Sequence, residues 1–195
     1  MERKSEPVSN GRKIHFDNSE LVKTSFWVSQ LLMVLATVLG VYLAAQQGLS
    51  QAIKFDSLVN TQNNYHLQRA LYDEVRDNLQ TLEAYMADID KLRPLDLRSL
   101  HPQLSDFVWQ NMYYSANALE TPAEILTAIR RFRIESAQLI EKMEKQELSR
   151  GVGTTGLRAL VGKISADTLP KLQLSFQRME LELQRSGMDV NITEE

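Results

Sequence analysis

The longest apolar pattern in the chain covers residues 24–53, thirty consecutive positions without Asp, Glu, Lys or Arg. Its centre, residues 27–45, reads WVSQLLMVLATVLGVYLAA and is long enough as a helix to cross a hydrocarbon layer about 30 Å thick. Core helices of soluble proteins rarely stay uncharged over such a length, and the 23 residues before Thr24 exceed the charged region of an ordinary signal peptide. The pattern therefore predicts an uncleaved transmembrane helix over residues 24–46.

The positions that follow the span predict one long helix. Residues 47–92 contain no proline, and from Leu67 onward apolar residues recur at steps of three and four. This spacing gives the helix a narrow apolar stripe, which packs against another helix. Pro94 and Pro102 exclude a regular helix across residues 91–102, so the long helix should end there.

Shorter helices are predicted beyond this break. Helical spacing returns over residues 104–119. Thr121, Pro122 and Glu124 have the spacing of a capping box and predict the start of a helix that extends to about residue 148. These patterns indicate further members of a helical bundle.

The glycine-rich stretch 149–156 predicts a hinge, and a short helix should follow over residues 157–166. Asp167 or Thr168 is predicted to cap the last helix, with Pro170 in its first turn. The apolar residues of this last helix step by three and four, which is typical of a coiled-coil seam. The seam consists of Leu169, Leu172, Phe176, Met179 and Leu183.

The predicted fold class is all-α, with a single N-terminal transmembrane helix continuing into a long stalk helix and an extracytoplasmic antiparallel helical bundle. Residues 1–23 mix both charges with Pro, Ser, Asn and Gly, which predicts a disordered cytoplasmic tail. Residues 24–46 form the transmembrane helix, residues 47–187 the stalk and bundle, and residues 188–195 a frayed tail after Gly187.

The charges on either side of the span predict its orientation. Five basic residues precede it, whereas only Lys54 occurs in the twenty residues after Ala45. The positive-inside rule then keeps the N-terminus in the cytoplasm and places the C-terminal domain on the other side. In a bacterium this is an inner-membrane protein with a periplasmic domain. A chain without cysteine is compatible with that oxidising compartment.

Several classes of chemistry are not indicated by the sequence. The net charge of −3 provides no basic nucleic-acid surface, and the glycine-rich stretch lacks the GKS or GKT of a phosphate-binding loop. The three histidines are scattered, and neither HExxH nor GxSxG occurs. We therefore expect no enzyme activity, no metal site and no cofactor, and no nucleic acid among the partners.

Small residues form a ridge on one face of the span, at Ala36, Gly40 and Ala44. Four-residue spacing of small side chains lets two helices approach closely in lipid. The alternative is chance, because Ala and Gly are common in spans. The ridge is a candidate for self-association or for binding a membrane protein.

Two further groups of residues are candidate partner or ligand surfaces. Aromatic residues are concentrated near residue 110, where they form either the end of the core or a pocket. Arginines near residue 131 either bind an anionic partner or form a solvated face, with Arg131 paired to Glu135. The candidate residues are Phe107, Trp109, Tyr113 and Tyr114, and Arg130, Arg131 and Arg133.

The junction of span and stalk resembles a group of uncharacterised bacterial single-pass membrane proteins of the domain-of-unknown-function type. The resemblance rests on VLGVYLAAQQGLSQ followed by YHLQRALYDEVRDNLQTLEAYMADI and extends over residues 26–89. The resemblance implies an inner-membrane protein with an extracytoplasmic helical domain. It implies no particular activity.

Two functions fit these patterns. The leading hypothesis is a membrane-anchored helical scaffold or accessory subunit that forms a homo-oligomer or binds a membrane protein through the stalk stripe, the final seam and the small-residue ridge. The alternative is a periplasmic ligand-sensing helical module coupled to a membrane partner. A small-molecule ligand is compatible with the aromatic residues but not indicated by them.

Overall fold

The computed structural model describes residues 24–115, 120–188 and 190, and all regular structure in these residues is helical. The predicted all-α class is therefore confirmed for this part of the chain. Helix α1 spans Thr24–Leu92, α2 Phe107–Tyr113, α3 Ala123–Glu144, α4 Arg150–Lys163 and α5 Leu169–Arg185. A 3₁₀ turn, Leu97–Leu100, precedes α2, and a π turn, Ile164–Thr168, joins α4 to α5. The predicted disordered tail, residues 1–23, lies outside the described residues.

The chain divides into two compact units, Met1–Ile53 and Lys54–Glu195. The described part of the first unit is the N-terminal portion of α1. Most of its large apolar side chains, such as Trp27, Leu31 and Leu39, are more than half exposed. No residue of its most apolar window is buried, and α1 is the one described helix long and apolar enough to cross a membrane.

The second unit is organised around a main hydrophobic core. The apolar stripe on the later part of α1, including Leu71, Val75 and Leu82, is buried against residues of α3, α4 and α5. The prediction that this stripe packs against other helices is therefore confirmed. Helix α1 ends at Leu92, and Arg93 follows it in the left-handed conformation, with a φ of 44°, which is common directly after a helix. Pro94 then prevents the helix from continuing.

The seam of α5 packs inside this unit. Leu172 belongs to the main core, and Leu183 joins Tyr65 of α1 and Val190 in a second buried cluster, with Phe176 and Met179 packed against it. The rings of Tyr72 and Phe176 lie 5.6 Å apart, edge to face. Of the predicted frayed tail, residues 188–195, the structure describes Met188 and Val190, and Val190 is buried with Leu183. The remaining residues of this tail lie outside the described chain.

The glycine-rich stretch is helical, so the predicted hinge is wrong. Ser149 caps α4 by accepting a hydrogen bond from the Val152 N–H at 3.4 Å. A Cβ atom at Gly153 would overlap the sulfur of Met143, and one at Gly156 would lie 3.0 Å from Leu139 Cδ1. These glycines therefore let α3 and α4 approach closely in an antiparallel hairpin.

The predicted cap between the last two helices is also absent from the described chain. Helical structure continues from α4 into α5 through the π turn, in which the Leu169 N–H bonds to the Ile164 carbonyl. Thr168 makes no side-chain cap bond. Proline inside a helix loses one hydrogen bond and crowds the carbonyl four residues earlier, and the wider π turn accommodates Pro170.

The capping box at Thr121 does not form. No side-chain cap bond occurs at the start of α3, and the Thr121 hydroxyl instead accepts a hydrogen bond from Gln68 Nε2 at 3.2 Å. Gln68 is fully buried and also donates to Asn64 Oδ1. The helix predicted over residues 104–119 is shorter, because α2 covers Phe107–Tyr113 and residues 116–119 lie outside the described chain.

Candidate functional site

The short helix α2 is held against α1 by the carboxylate of Glu74. Its Oε2 accepts hydrogen bonds from the Val108 N–H at 2.7 Å and the Ser105 hydroxyl at 3.2 Å, and its Oε1 accepts one from the Trp109 N–H at 3.1 Å. The first N–H groups of a helix have no partner within it and attract negative charge. Asp106, at the N-cap position, makes no side-chain cap bond. Glu74, with a side chain only 4% exposed, replaces that cap from another helix.

Asn78 and Arg133 complete the attachment. The Asn78 side chain donates to the Ser105 carbonyl at 2.7 Å and accepts from the Ser105 N–H at 2.7 Å. Arg133 of α3 lies 3.3 Å from Asp106 and 3.9 Å from Glu74, with its guanidinium 5.6 Å from the centre of the Trp109 ring. We call Glu74, Asn78, Ser105 and Arg133 the polar clamp. It fixes both the position and the rotation of α2.

The clamp leaves one face of α2 in solvent. Met112 is buried, and Val108 and Trp109 pack partly against the core. The opposite side chains follow the 0, 3, 4, 7 spacing of one helix face and are exposed; they are Phe107, Gln110, Asn111 and Tyr114. Phe107 is 75% exposed and Tyr114 86% exposed. We call these four residues the aromatic face.

The four predicted aromatic residues therefore do not share one environment. Trp109 contacts the core beneath Arg133, whereas Phe107 and Tyr114 face solvent. Tyr113 is the last residue of α2, and its side chain is outside what the structure describes. Among the described residues, neither exposed ring belongs to the core or is enclosed in a pocket.

The three predicted arginines do not share one site on α3. Arg133 belongs to the polar clamp, whereas Arg131 lines a groove of about 420 Å³ with Glu135 and Lys163. Residues two apart on a helix differ by about 200° in direction, so Arg131 and Arg133 cannot bind the same partner surface. Arg130 is exposed. The arginines thus do not form a single anion-binding site.

A further polar contact joins the segment before α2 to α3. His101 Nδ1 lies 2.6 Å from Glu144 Oε1 and ties the 3₁₀ turn to the end of α3. No group of three or more His, Asp or Glu side chains in the described residues could hold a metal ion.

Sequence reasoning missed the polar clamp, although a signal for it was present. Glu74 and Asn78 lie four residues apart within the apolar stripe of α1, between Leu71 and Leu82. A polar residue on a buried helix face needs a partner, because an unpaired buried polar group is costly. Both residues are buried, and both bind the segment that leads into α2.

The buried hydroxyl of Tyr85 is an unpaired polar group whose effect on stability can be measured. Its hydroxyl is buried and has no hydrogen-bond partner in the described structure. Burial, together with the charge of Glu144, raises the pKa of Tyr85 to about 12. The pKa of an unfolded tyrosine is about 10, so the folded state binds this proton more tightly. The stability that depends on keeping this hydroxyl protonated is therefore fully present below pH 10. It is lost as the pH rises through about 12.

We expect Tyr85→Phe to leave the free energy of unfolding unchanged at pH 7 or to raise it by up to about 1 kcal/mol, because no hydrogen bond is lost. Between pH 10 and 12 the variant should lose less stability than the wild type. Urea unfolding at several pH values measures both effects. A loss above about 1.5 kcal/mol at pH 7 would mean that the hydroxyl has a bonded partner.

Comparison with known proteins finds no family model that matches the chain and no match among curated proteins or solved structures.

Proposed function

We propose that the protein is a membrane-anchored helical scaffold or accessory subunit that binds a partner protein through the aromatic face of α2. One observation carries the proposal: the exposed ring of Phe107 lies on α2, and that of Tyr114 on the residue directly after it, in a segment that the polar clamp holds in place. Aromatic side chains dominate the energetics of protein interfaces. A surface fixed before binding also loses less conformational entropy when the partner arrives.

The proposed anchor is the transmembrane helix over residues 24–46, in a bacterial inner membrane. Its apolar side chains are exposed in the chain itself, which suits contact with lipid. The basic residues before it support a cytoplasmic N-terminus and a periplasmic second unit. The resemblance over residues 26–89 points to the same arrangement.

Within the membrane, we propose that the ridge of Ala36, Gly40 and Ala44 contacts another helix. A Cβ atom at Gly40 would have no neighbour within 4 Å, so the described packing of the chain does not require glycine there. Small side chains at this spacing let helices pack closely in lipid. The neighbour is either a second copy or a span of the partner.

The stalk stripe and the α5 seam, which we predicted to be assembly surfaces, are packed within the chain. Tyr65 and Tyr72 of α1 contact Phe176 of α5, and Leu183 is buried beside Tyr65. These two apolar surfaces cover each other within one chain. Assembly is therefore assigned to the aromatic face and the ridge.

A ligand-sensing function is less well supported by the geometry. Binding sites for small molecules usually bury most of the ligand in a concave pocket. Phe107 and Tyr114 are too exposed to enclose a small molecule. Two separated rings on a convex helix surface are better suited to bind the surface of a partner protein.

The proposal predicts a specific crosslink from the aromatic face. A photoreactive phenylalanine analogue at Phe107 of the full chain, expressed in native membranes, should yield one adduct of defined mass. Tyr114→Ala should reduce its yield about tenfold or more, because hot-spot truncations cost 2 kcal/mol or more. The yield is measured by denaturing gel and mass spectrometry.

The matched control places the same analogue at Ile134, an exposed apolar residue of α3 that lies outside the aromatic face. It should not yield that adduct. Equal crosslinking from both positions, or no adduct from Phe107, would contradict the proposed partner surface. A chain that washes off membranes at alkaline pH would contradict the anchor separately.

A further inference from the structure

The uncharged stretch of α1 is longer than the hydrocarbon part of a bilayer requires. Residues 24–53 measure about 45 Å as a helix, at about 1.5 Å per residue. The hydrocarbon core of a bilayer is about 30 Å thick, whereas the whole bilayer with its headgroup layers is about 40–45 Å thick. Residues 24–46 are already long enough to cross the core. The uncharged residues that follow them therefore match the depth of one headgroup layer.

The nine residues after the predicted span, residues 47–55, combine polar and apolar side chains. We call them the boundary segment. They have no charge before Lys54, and their polar members are Gln47, Ser50 and Gln51. The large apolar members are between 61% and 65% exposed; they are Leu49, Ile53 and Phe55. All residues of the boundary segment are exposed, so the described fold of the chain does not cover them.

The exposed apolar side chains of the boundary segment point in different directions. Ile53 and Phe55 differ by about 200° around the helix, because each residue turns it by about 100°. A partner helix covers one stripe of a helix surface, whereas lipid surrounds a helix on all sides. This arrangement favours lipid over a single protein partner.

We propose that the boundary segment lies in the lipid headgroup layer at the C-terminal end of the span. Its amides and hydroxyl are costly to bury in hydrocarbon, but they can bond to headgroups and to the water among them. Its large apolar side chains are in turn better placed near acyl chains than in water. Lys54 fits the edge of this layer, because its apolar stem can lie along lipid while the ammonium group reaches phosphate.

This inference rests on the proposed membrane anchor, because a chain that does not span a bilayer has no headgroup layer to occupy. It moves the end of the membrane contact from residue 46 to residue 55. The part of α1 that is surrounded by water then begins near Asp56, the first acidic residue after the span.

The lack of native cysteine allows a direct test on the full chain. Leu49→Cys, Ile53→Cys and Phe55→Cys each carry a fluorophore in phosphatidylcholine nanodiscs, with a nitroxide either on the lipid headgroup or near the end of the acyl chain. We expect the headgroup nitroxide to quench all three more strongly. Without the fluorophore, a water-soluble maleimide should label these cysteines about tenfold or more slowly than one in water, because apolar surroundings suppress the reactive thiolate.

Two further positions on α1 are the matched controls. Asp77→Cys, at an exposed side chain of the second unit, should react quickly and be quenched little by either nitroxide. Leu39→Cys, within the predicted span, should be quenched more strongly by the acyl-chain nitroxide. A quenched probe at residue 39 therefore tests the anchor independently of the boundary segment.

Fast labelling and weak quenching at residues 49, 53 and 55, with residue 39 quenched, would overturn the inference and leave the anchor intact. Protection of residue 53 but not of residue 55 would assign the segment to a protein partner and also overturn it. Stronger quenching of all three by the acyl-chain nitroxide would place the segment in hydrocarbon, against the proposal. An unquenched probe at residue 39 would overturn the proposed anchor itself.

Discussion

Replacing Glu74 with alanine should lower the free energy of unfolding of the second unit by about 3 kcal/mol, because it removes both buried hydrogen bonds and a buried charge. The Val108 and Trp109 N–H groups and the Ser105 hydroxyl would lose their acceptor. Arg133, with a side chain 25% exposed, would lose its buried countercharge. Urea unfolding, followed by Trp109 fluorescence in a Trp27→Phe background, measures the loss. Hydrogen exchange over residues 105–113 should also accelerate, because α2 would be released.

The matched control is Asp77→Ala, which removes a carboxylate from the same helix where the side chain is 66% exposed. An exposed substitution of this kind should change stability by no more than about 0.5 kcal/mol. Glu74→Gln, which keeps one acceptor and loses the charge, should be intermediate. Similar losses from Glu74→Ala and Asp77→Ala would show that the polar clamp does not hold α2.

The sequence predicted well those features that depend on the order of apolar and polar residues along the chain. The uncharged stretch of residues 24–53 predicted an apolar helix, and the spacing from Leu71 to Ile89 predicted a buried stripe. The break near Pro94 follows from the chemistry of proline itself. In each case the neighbouring residues alone decide the structure.

The capping prediction failed where a distant residue decided the outcome. The hydroxyl of Thr121 is used by Gln68, 53 positions earlier, rather than by the backbone of α3. The start of α2 shows the same effect, because Glu74 caps it from 34 positions away. Local capping rules do not contain these contacts.

The aromatic face could not be separated from the core on sequence alone. Phe107 and Trp109 are two residues apart, and either ring could have been the buried one. Rotation of α2 about its axis is set by Glu74, Asn78 and Arg133, which come from two other helices. Only their joint geometry assigns Phe107 to solvent and Trp109 to the core.

Gly153→Val should be the most damaging change in the hairpin of α3 and α4, with a loss of about 3 kcal/mol from overpacking. Glycine usually weakens a helix, so the difference in helix propensity alone would make the change to valine neutral or slightly stabilising. The side chain of Met143 fills the space beside Gly153, and at 2% exposure it has little room to move. Urea unfolding of the full chain measures the loss.

The same substitution at Gly162 separates packing from helix propensity, because a Cβ atom there would have no neighbour within 4 Å and the residue also lies in α4. Gly162→Val should change stability by no more than about 0.5 kcal/mol. Met143→Ala combined with Gly153→Val should cost less than the sum of the two single changes, since the smaller side chain makes room for valine. Equal losses of stability at Gly153 and Gly162 would mean that Gly153 has no special packing role. Close packing of α3 and α4 would then not explain why the glycine-rich residues 149–156 form a helix instead of a hinge.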